Sequence, residues 1–396
     1  MSQEVVILGV GMVPFAKPGA SPTYVDMGRD AANAALADAG VTYADVQQAY
    51  AGYVYGDSTS GQRVLYELGM TAIPIINVNN NCATGSTALY LARQAVAGGA
   101  ADCVLALGFE QMRPGALNNI WTDRPLPLDR FDAVTGELVG DVDVPFALRY
   151  FGGAGLAHMR QYGTRMETFA KIRAKASRHA AHNPKAVFRA ELTEEDVMAA
   201  PVLWPGVMTR SMACPPTCGA AAAVVCSAGF ARRLGARHAV TVRAQSMSTD
   251  LPGTFDGGDM RLVAGMDMTR TAAHAVYEAA GIGPEDVDVI ELHDCFAHNE
   301  LITYEGLGLC DPGQAEKLVV DGDNTYGGKY VVNPSGGLLS KGHPLGATGL
   351  AQCVELVEQL RGRGGPRQVE GARIALQHNL GLGGACVVTL YQRAAP

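Results

Sequence analysis

The stretch MGRDAANAALADAGVTYADV, residues 27–46, returns as MTRTAAHAVYEAAGIGPEDV at residues 268–287. Each copy has the apolar spacing of an amphipathic helix that ends at a glycine, Gly40 in the first copy and Gly281 in the second. A shorter pair matches in the same way, because CATGSTAL at residues 82–89 is echoed by HPLGATGL at residues 343–350. The chain is therefore predicted to contain two similar halves, with Cys82 and His343 at equivalent places.

Short β-rich runs alternate with the predicted helices. They are VVIL at 5–8, CVLALG at 103–108, AAVVC at 222–226, VIEL at 289–292, IALQ at 374–377 and CVVTLY at 386–391. This alternation predicts an α/β fold in which two similar sheets sandwich helices. Scattered Pro and Gly interrupt the period in the middle of the first half, which predicts an inserted loop domain. The predicted domains are an N-terminal half (residues 1–113 and 206–237), the loop domain (114–205) and a C-terminal half (238–396).

Composition excludes several classes of function. The chain has 396 residues, of which 48% are hydrophobic and 18% charged, so it can bury a large core. Its net charge of −8 gives no general attraction for nucleic acid. Apolar runs fall short of the roughly 18 to 20 residues of a membrane span, and the start resembles no signal peptide. We expect a cytoplasmic protein whose nine cysteines are reduced.

Cys82 is the first candidate for chemistry. A polar run, Asn79 to Asn81, precedes it, and small residues lead from it into an apolar helix pattern. This order predicts a sulfur at a helix N-terminus, where the helix dipole favours the thiolate and the free backbone N–H can bind an oxyanion. A single cysteine is more often a buried, inert hydrophobe, so the local pattern alone leaves both interpretations open.

Two further motifs follow in the second half. His293-Asp294-Cys295-Phe296 comes directly after an apolar strand, where α/β folds collect ligands and catalytic groups. His343 stands between Gly342 and Pro344 at the start of a predicted helix, where it can deprotonate a thiol. The alternatives are a hydrogen-bonded structural histidine in each motif and a cysteine that only packs.

Other patterns carry less weight. Gly9-Val-Gly11 resembles a dinucleotide loop, but Pro14 replaces its third glycine. Cys214 and Cys218 have no second pair at zinc-ribbon spacing, so no metal site is expected. Residues 160–189 contain eight basic side chains and one acidic side chain, which fits either a solvated helix face or a CoA phosphate site.

Five motifs in order resemble those of the thiolase superfamily over nearly the whole chain. They are NNNCATGSTAL (79–89), GFEQM (108–112), HDCF (293–296), NPSGGLLSKGHPLGATG (333–349) and QHNLGLGGA (377–385). More narrowly, they are similar to sterol-carrier-type 3-ketoacyl-CoA thiolases, in which a catalytic cysteine lies in the HDCF loop. The resemblance implies a thiolase fold: two duplicated βαβαβαββ halves in a five-layered αβαβα sandwich with an inserted loop domain.

The resemblance also implies roles for five residues. Cys82 is expected to be the acylated nucleophile, His343 the base that activates it, and Cys295 the second acid/base. His293 and His343 are expected to bind the thioester oxygen, while the N–H groups of Cys82 and Gly381 form a second oxyanion hole. Most other thiolases carry their second cysteine in the last motif, where this chain has Asn379-Leu380-Gly381.

The implied activity is CoA-dependent thiolytic cleavage of 3-ketoacyl-CoA, or the reverse Claisen condensation, in lipid, branched-chain or sterol side-chain metabolism. CoA is then a co-substrate, no bound cofactor or metal is needed, and a homodimer or tetramer is expected. One alternative is a retro-aldolase or C-acyltransferase of the same fold that acts with an OB-fold partner. A second alternative, a scaffold or lipid-binding subunit, predicts that no acyl-enzyme forms.

Overall fold

A computed structural model describes residues 3–115, 117, 119, 121–140 and 142–393. The strands in these ranges are β1 (Val5–Met12), β2 (Gln48–Gly52), β3 (Ile75–Val78), β4 (Cys103–Glu110), β5 (Val202–Trp204), β6 (Met208–Thr209), β7 (Gly219–Ser227), β8 (Val240–Ser248), β9 (Val289–Glu291), β10 (Val331–Val332), β11 (Ile374–Gly381) and β12 (Ala385–Arg393). The helices are α1 (Tyr24–Ala39), α2 (Ser60–Leu65), α3 (Thr84–Ala97), α4 (Asp129–Val139), α5 (Phe146–Tyr162), α6 (Met166–Ala181), α7 (Glu194–Ala199), α8 (Ala228–Arg233), α9 (Gly253–Asp256), α10 (Met260–Val263), α11 (Met266–Ala280), α12 (Ala297–Gly306), α13 (Ala315–Val320) and α14 (Thr348–Leu360). Within the described ranges, no helix combines the length and apolarity needed to cross a membrane.

The strand order repeats between the two halves. From the middle outward, the first half runs β1, β7, β4, β2, β3 and the second runs β8, β12, β11, β9, β10. In each half, the three outer strands are parallel and the two inner pairings are antiparallel. A short β1–β8 pairing joins the halves, so the two expected sheets are one continuous ten-stranded sheet. The predicted α/β class is confirmed.

Alternating side chains of β1 explain the layers. Val5 and Ile7 pack in one core with residues of α3 and α14, whereas Val6 and Leu8 pack in another with residues of α1. Because both faces of a strand in such a sandwich are covered, β1 is buried along its full length. Helices α3 and α14 contact each other between the half-sheets, while α1 and α11 cover the outer faces. The order of layers is therefore αβαβα.

The glycine pair in β1 has a packing role. A Cβ at Gly9 would lie 2.3 Å from the carbonyl oxygen of Ala35, and one at Gly11 would lie 2.5 Å from that of Ala31. Both oxygens belong to α1, which therefore approaches the strand too closely for any side chain at these two positions. The Gly-x-Gly pattern is explained by the contact between helix and strand.

The inserted segment is mostly helical rather than loop, because α4 to α7 lie within it. It interrupts the first half in sequence, but α5 and α6 pack against α12 of the second half. Lys175 of α6 forms a buried ion pair with Glu300 of α12, and Arg173 donates to the hydroxyl of Ser340 at 2.6 Å. Two of the eight basic residues in 160–189 thus hold the inserted segment against the second half.

Candidate active site

The N-terminal ends of α3 and α14 meet at the centre of the molecule. Small residues make this possible, since a Cβ at Gly85 would lie 2.8 Å from the carbonyl oxygen of Gly346 and one at Gly108 would lie 2.2 Å from it. Buried Glu110 accepts hydrogen bonds from the N–H groups of Gly346 at 3.0 Å, Val54 at 3.1 Å and Tyr55 at 2.9 Å. This carboxyl therefore ties the start of α14 to the first half.

Cys82 and two histidines meet at this junction. The Cys82 sulfur and one ring nitrogen from each of His293 and His343 lie within 4.8 Å of one another. The two rings stand nearly perpendicular, with centroids 4.9 Å apart. Both histidines are buried, whereas Cys82 is partly exposed. The structure thus brings together three residues that sequence reasoning selected from distant parts of the chain.

Hydrogen bonds hold both imidazole rings. Nδ1 of His343 lies 2.7 Å from Oγ1 of Thr348, and the backbone N–H of His343 donates to Oγ1 of Thr217 at 3.1 Å. Nδ1 of His293 lies 3.0 Å from Nδ2 of Asn379. Within the described part of the chain, Nε2 of each histidine is buried and has no hydrogen-bond partner. These two atoms are free to meet the thiol or a substrate.

Cys295 lies beside the same junction. It is 3% exposed, and its carbonyl accepts a hydrogen bond from the N–H of Cys214 at 2.9 Å. Burial raises the pKa of Cys295 well above its usual value, and the neighbouring thiols of Cys214 and Cys82 raise it further. Sequence reasoning considered Cys214 only as a possible metal ligand. No local pattern shows that it lies next to Cys295, which is far away in sequence.

The surroundings of Cys82 favour the protonated thiol over the thiolate. Burial raises its pKa to about 12 and the carboxyl of Glu110 adds to the rise, although the N–H groups of Cys82 and Leu382 act in the opposite direction. The expected lowering by N–H groups at a helix N-terminus is present but is outweighed by burial, and α3 itself begins at Thr84. Burial also lowers the pKa of His343 to about 3, which keeps its ring neutral.

Gly381 ends β11 next to Cys82. A Cβ there would lie 2.2 Å from the carbonyl oxygen of Asn80 and 2.9 Å from the nitrogen of Ala83, so only glycine permits this approach. The N–H of the next residue, Leu382, faces the Cys82 sulfur. The oxyanion role of Gly381 stays a prediction, and Leu382 is a second N–H group at the same place.

Residues that sequence reasoning left aside support the loop before His343. The carboxyl of Asp294 accepts hydrogen bonds from the N–H groups of Leu338 at 2.7 Å and Leu339 at 3.5 Å. Buried Lys341 pairs with Glu291 at 3.2 Å. Both acidic residues lie on or next to β9, so the strand that leads to His293 also anchors His343. Because Asp294 lies in the HDCF motif and Glu291 in the VIEL strand, the sequence could have indicated that both acidic residues support the site.

A cysteine and two histidines also form a possible set of zinc ligands. A metal requires an unprotonated nitrogen from each ring. The amide Nδ2 of Asn379 faces Nδ1 of His293, which places the ring proton of a neutral His293 on Nε2. The hydrogen bonds thus favour proton transfer over metal binding at these residues. Cys218, the other candidate ligand, donates to the carbonyl of Met112 at 3.5 Å.

Comparison with known proteins agrees with this geometry. The model for the thiolase N-terminal domain matches residues 5–229, and the model described as thiolase C-terminal domain-like matches residues 228–391. The chain belongs to the thiolase family. Sterol carrier protein 2 of Homo sapiens is 54% identical to this thiolase over 398 residues, which cover 100% of the chain and 73% of that protein. An acetyl-CoA acetyltransferase of Methanothermobacter thermautotrophicus is 35% identical over 399 residues, covering 99% of the chain and 100% of that protein.

Among solved structures, an Ltp2-ChsH2(DUF35) aldolase superposes on this thiolase with a TM-score of 0.84, at 21% identity and with 98% of each chain covered. At that identity the likeness concerns the fold alone. The expected resemblance and the expected class of enzyme, a thiolase-family acyltransferase, are confirmed by the family match and the two relatives. The roles of individual residues stay predictions.

Proposed function

We propose that this enzyme cleaves 3-ketoacyl-CoA thioesters with CoA, or condenses acyl-CoA in the reverse direction, through an acyl group carried on Cys82. The observation that carries the proposal is the junction of the Cys82 sulfur with two neutral histidines whose Nε2 atoms are free. A protonated thiol next to an unprotonated imidazole is one arrangement in which an adjacent base can activate a cysteine nucleophile.

The first stage forms the acyl-enzyme. His343 takes the thiol proton as the sulfur attacks the 3-keto carbon, because burial disfavours a free thiolate before substrate arrives. Negative charge develops on the 3-keto oxygen, which the N–H groups of Cys82 and Gly381 receive. The C2–C3 bond then breaks, and its electron pair passes to the acyl-CoA fragment that leaves as an enolate.

The second stage uses the groups of the other half. The enolate oxygen accepts hydrogen bonds from His293 and from the protonated His343, while the Cys295 thiol delivers its proton to C2. The resulting Cys295 thiolate removes the proton of an incoming CoA thiol. That sulfur attacks the acyl carbon, Cys82 leaves as a thiolate, and His343 returns its proton to Cys82.

A cleft of about 460 Å³ beside the nucleophile is the proposed place for the acyl part of the substrate. Asn80 and Asn81, which directly precede Cys82, are among its lining residues, and the apolar part of its wall comes from side chains that include Leu117, Trp121, Leu128, Phe146 and Leu382. A wall that combines apolar side chains with polar groups suits an acyl chain whose thioester end must be oriented. CoA is proposed as co-substrate, and a cytoplasmic location stays a prediction.

The alternative hypothesis, a retro-aldolase that acts with an OB-fold partner, has less support. Its support is a likeness of fold to an aldolase structure, which by itself does not indicate a reaction. Retro-aldol cleavage needs no cysteine nucleophile, whereas in this chain Cys82 lies together with His293 and His343, and Cys295 is a neighbour of Cys82. A requirement for a partner protein stays a prediction of that alternative.

The test is the CoA-dependent loss of enolate absorbance from acetoacetyl-CoA and from longer and 2-methyl 3-ketoacyl-CoAs. Wild type is expected to be active, and Cys82→Ala to lose at least about 10⁴-fold in kcat, as enzymes do when the nucleophile is removed. Cys310→Ala is the matched control, because this partly exposed thiol lies outside the junction. A folded wild type that is inactive on every 3-ketoacyl-CoA but cleaves a 3-hydroxyacyl-CoA would establish the aldolase instead.

We further propose a homodimer through β3, which lies at one end of the sheet and has no strand on its outer side among the described residues. Ile76 of this strand is 37% exposed, and the exposed side chains of Tyr66 and Met70 precede the strand. Two copies that pair their β3 edges would cover these groups. Light scattering should show a dimer for wild type and for Val320→Lys, but a monomer for Ile76→Lys; a dimeric Ile76→Lys would exclude this edge.

A further inference from the structure

The two histidines of the site use different kinds of partner at Nδ1. His343 faces a hydroxyl, Oγ1 of Thr348 at 2.7 Å, and His293 faces an amide nitrogen, Nδ2 of Asn379 at 3.0 Å. In a neutral imidazole, one nitrogen carries the hydrogen and the other a lone pair. The partner at Nδ1 therefore decides what each ring presents at Nε2, the atom left free in both rings.

Thr348 selects the form of His343 that acts as a base. Its hydroxyl donates to the carbonyl of Pro344 at 3.0 Å, which is the usual bond of a helical threonine to the preceding turn. With that hydrogen used, the hydroxyl offers a lone pair to the ring. His343 then donates from Nδ1 and keeps a bare lone pair at Nε2, the form that can accept the Cys82 proton.

Asn379 selects the opposite form of His293. An amide NH₂ group only donates, so Nδ1 of His293 must accept and the ring hydrogen sits on Nε2. Burial, followed by the charges of His343 and His378, lowers the pKa of His293 well below its usual value, so the ring does not hold both hydrogens. A neutral His293 in this form is a ready donor to a developing negative charge.

We propose that Asn379 is a positioning residue that holds His293 as the Nε2–H tautomer, opposite to His343, so that one ring donates where the other accepts. The inference rests on the proposed function, because the target of the His293 donor is the enolate oxygen formed when the C2–C3 bond breaks. Strand β11 carries Asn379 to this point, two residues before Gly381. Asn379 therefore has a task of its own at the place where most other thiolases carry a cysteine.

Asn379→Asp tests the assignment with an almost isosteric change. A carboxylate accepts from Nδ1, so a neutral His293 would carry its hydrogen on Nδ1 and present a bare Nε2. Cleavage of acetoacetyl-CoA should slow by about 10² to 10³-fold, which is the usual effect of losing one oxyanion donor. Acyl exchange between acetyl-CoA and a CoA analogue should change less than about fivefold, because exchange uses Cys82, His343, Cys295 and the other oxyanion hole but forms no enolate. Asn379→Ala removes the donor without adding a charge. Its rate of acetoacetyl-CoA cleavage should fall between the rates of wild type and Asn379→Asp.

Nitrogen NMR of ¹⁵N-histidine-labelled enzyme reads the tautomers directly. Wild type should show His293 protonated at Nε2 and His343 protonated at Nδ1, and Asn379→Asp should change only His293. An Asn379 amide turned end for end would give a bare Nε2 at His293, and that result would overturn the proposal. Equal loss of exchange and cleavage in a folded Asn379→Asp would also overturn it. Absence of exchange in wild type would instead contradict the proposed function.

Discussion

The two halves of this thiolase share strand order and a central helix but place different chemistry on them. Before α3 the first half carries Cys82, and its loop after β2 contributes the backbone N–H groups of Val54 and Tyr55, bound to Glu110. The second half carries His343 before α14, and its loop after β9 carries both His293 and Cys295. Duplication thus explains why the groups meet, and divergence explains why one half supplies the nucleophile and the other the acid–base groups.

The inserted segment makes the asymmetry larger. It belongs to the first half in sequence, yet its helices α5 and α6 pack against α12 of the second half. Helix α12 begins at Ala297, directly after the HDCF loop. The half that carries the acid–base groups is therefore braced by a segment of the other half, through buried polar contacts such as Lys175 to Glu300.

Among the acid–base groups of the second half, the largest effect is expected for Cys295 and not for its neighbour Cys214. Cys295→Ala removes the group proposed to protonate C2 and should lower thiolysis by about 10² to 10⁴-fold, the range of a general acid or base. Cys214→Ala keeps the backbone N–H that binds the Cys295 carbonyl and should stay within about threefold. Steady-state thiolysis of acetoacetyl-CoA measures both. Equal losses in the two variants would remove the distinction between these thiols.

The contact between the inserted segment and the second half predicts a large effect on stability. Lys175→Met leaves the buried carboxylate of Glu300 unpaired and should lower the free energy of unfolding by about 3 to 5 kcal/mol. Lys317→Met breaks an exposed pair with Asp321 and should change it far less. Denaturant titration of the full chain measures the free energy of unfolding of both variants. Similar stability in both variants would mean that the buried pair does not brace the second half.

The smallest expected effect concerns Glu110, which links the halves. Burial raises its pKa to about 7 against the opposing pull of three N–H donors, so it ionises as the pH rises through 7. Its negative charge then raises the pKa of Cys82 and slows alkylation of that thiol. Glu110→Gln should speed alkylation by iodoacetamide at pH 8 by up to about tenfold, the effect of one pKa unit, and much less at pH 6. A gain of equal size at both pH values would contradict this account.

Much of the fold could be predicted because the two halves repeat the same spacing of apolar residues. The helices of the inserted segment could not, since scattered Pro and Gly near residues 114–145 obscure a helical pattern that becomes regular only where Phe169 and Ile172 meet the core. The rise in the pKa of Cys82 could not be predicted, because burial depends on tertiary packing while a helix N-terminus can be recognised locally. Asn379 and Cys214 lie far in sequence from the residues they contact, so only the structure reveals them.

The central claim is that Cys82 carries the acyl group, and mass spectrometry of the acid-quenched enzyme tests it most directly. Wild type mixed with acetoacetyl-CoA in the absence of free CoA should gain one acetyl group, located on the peptide that contains Cys82. His343→Ala should gain it about 10² to 10⁴-fold more slowly, because the base is missing. An enzyme that turns over without an acyl group on Cys82, or that carries it on another cysteine, would contradict the account.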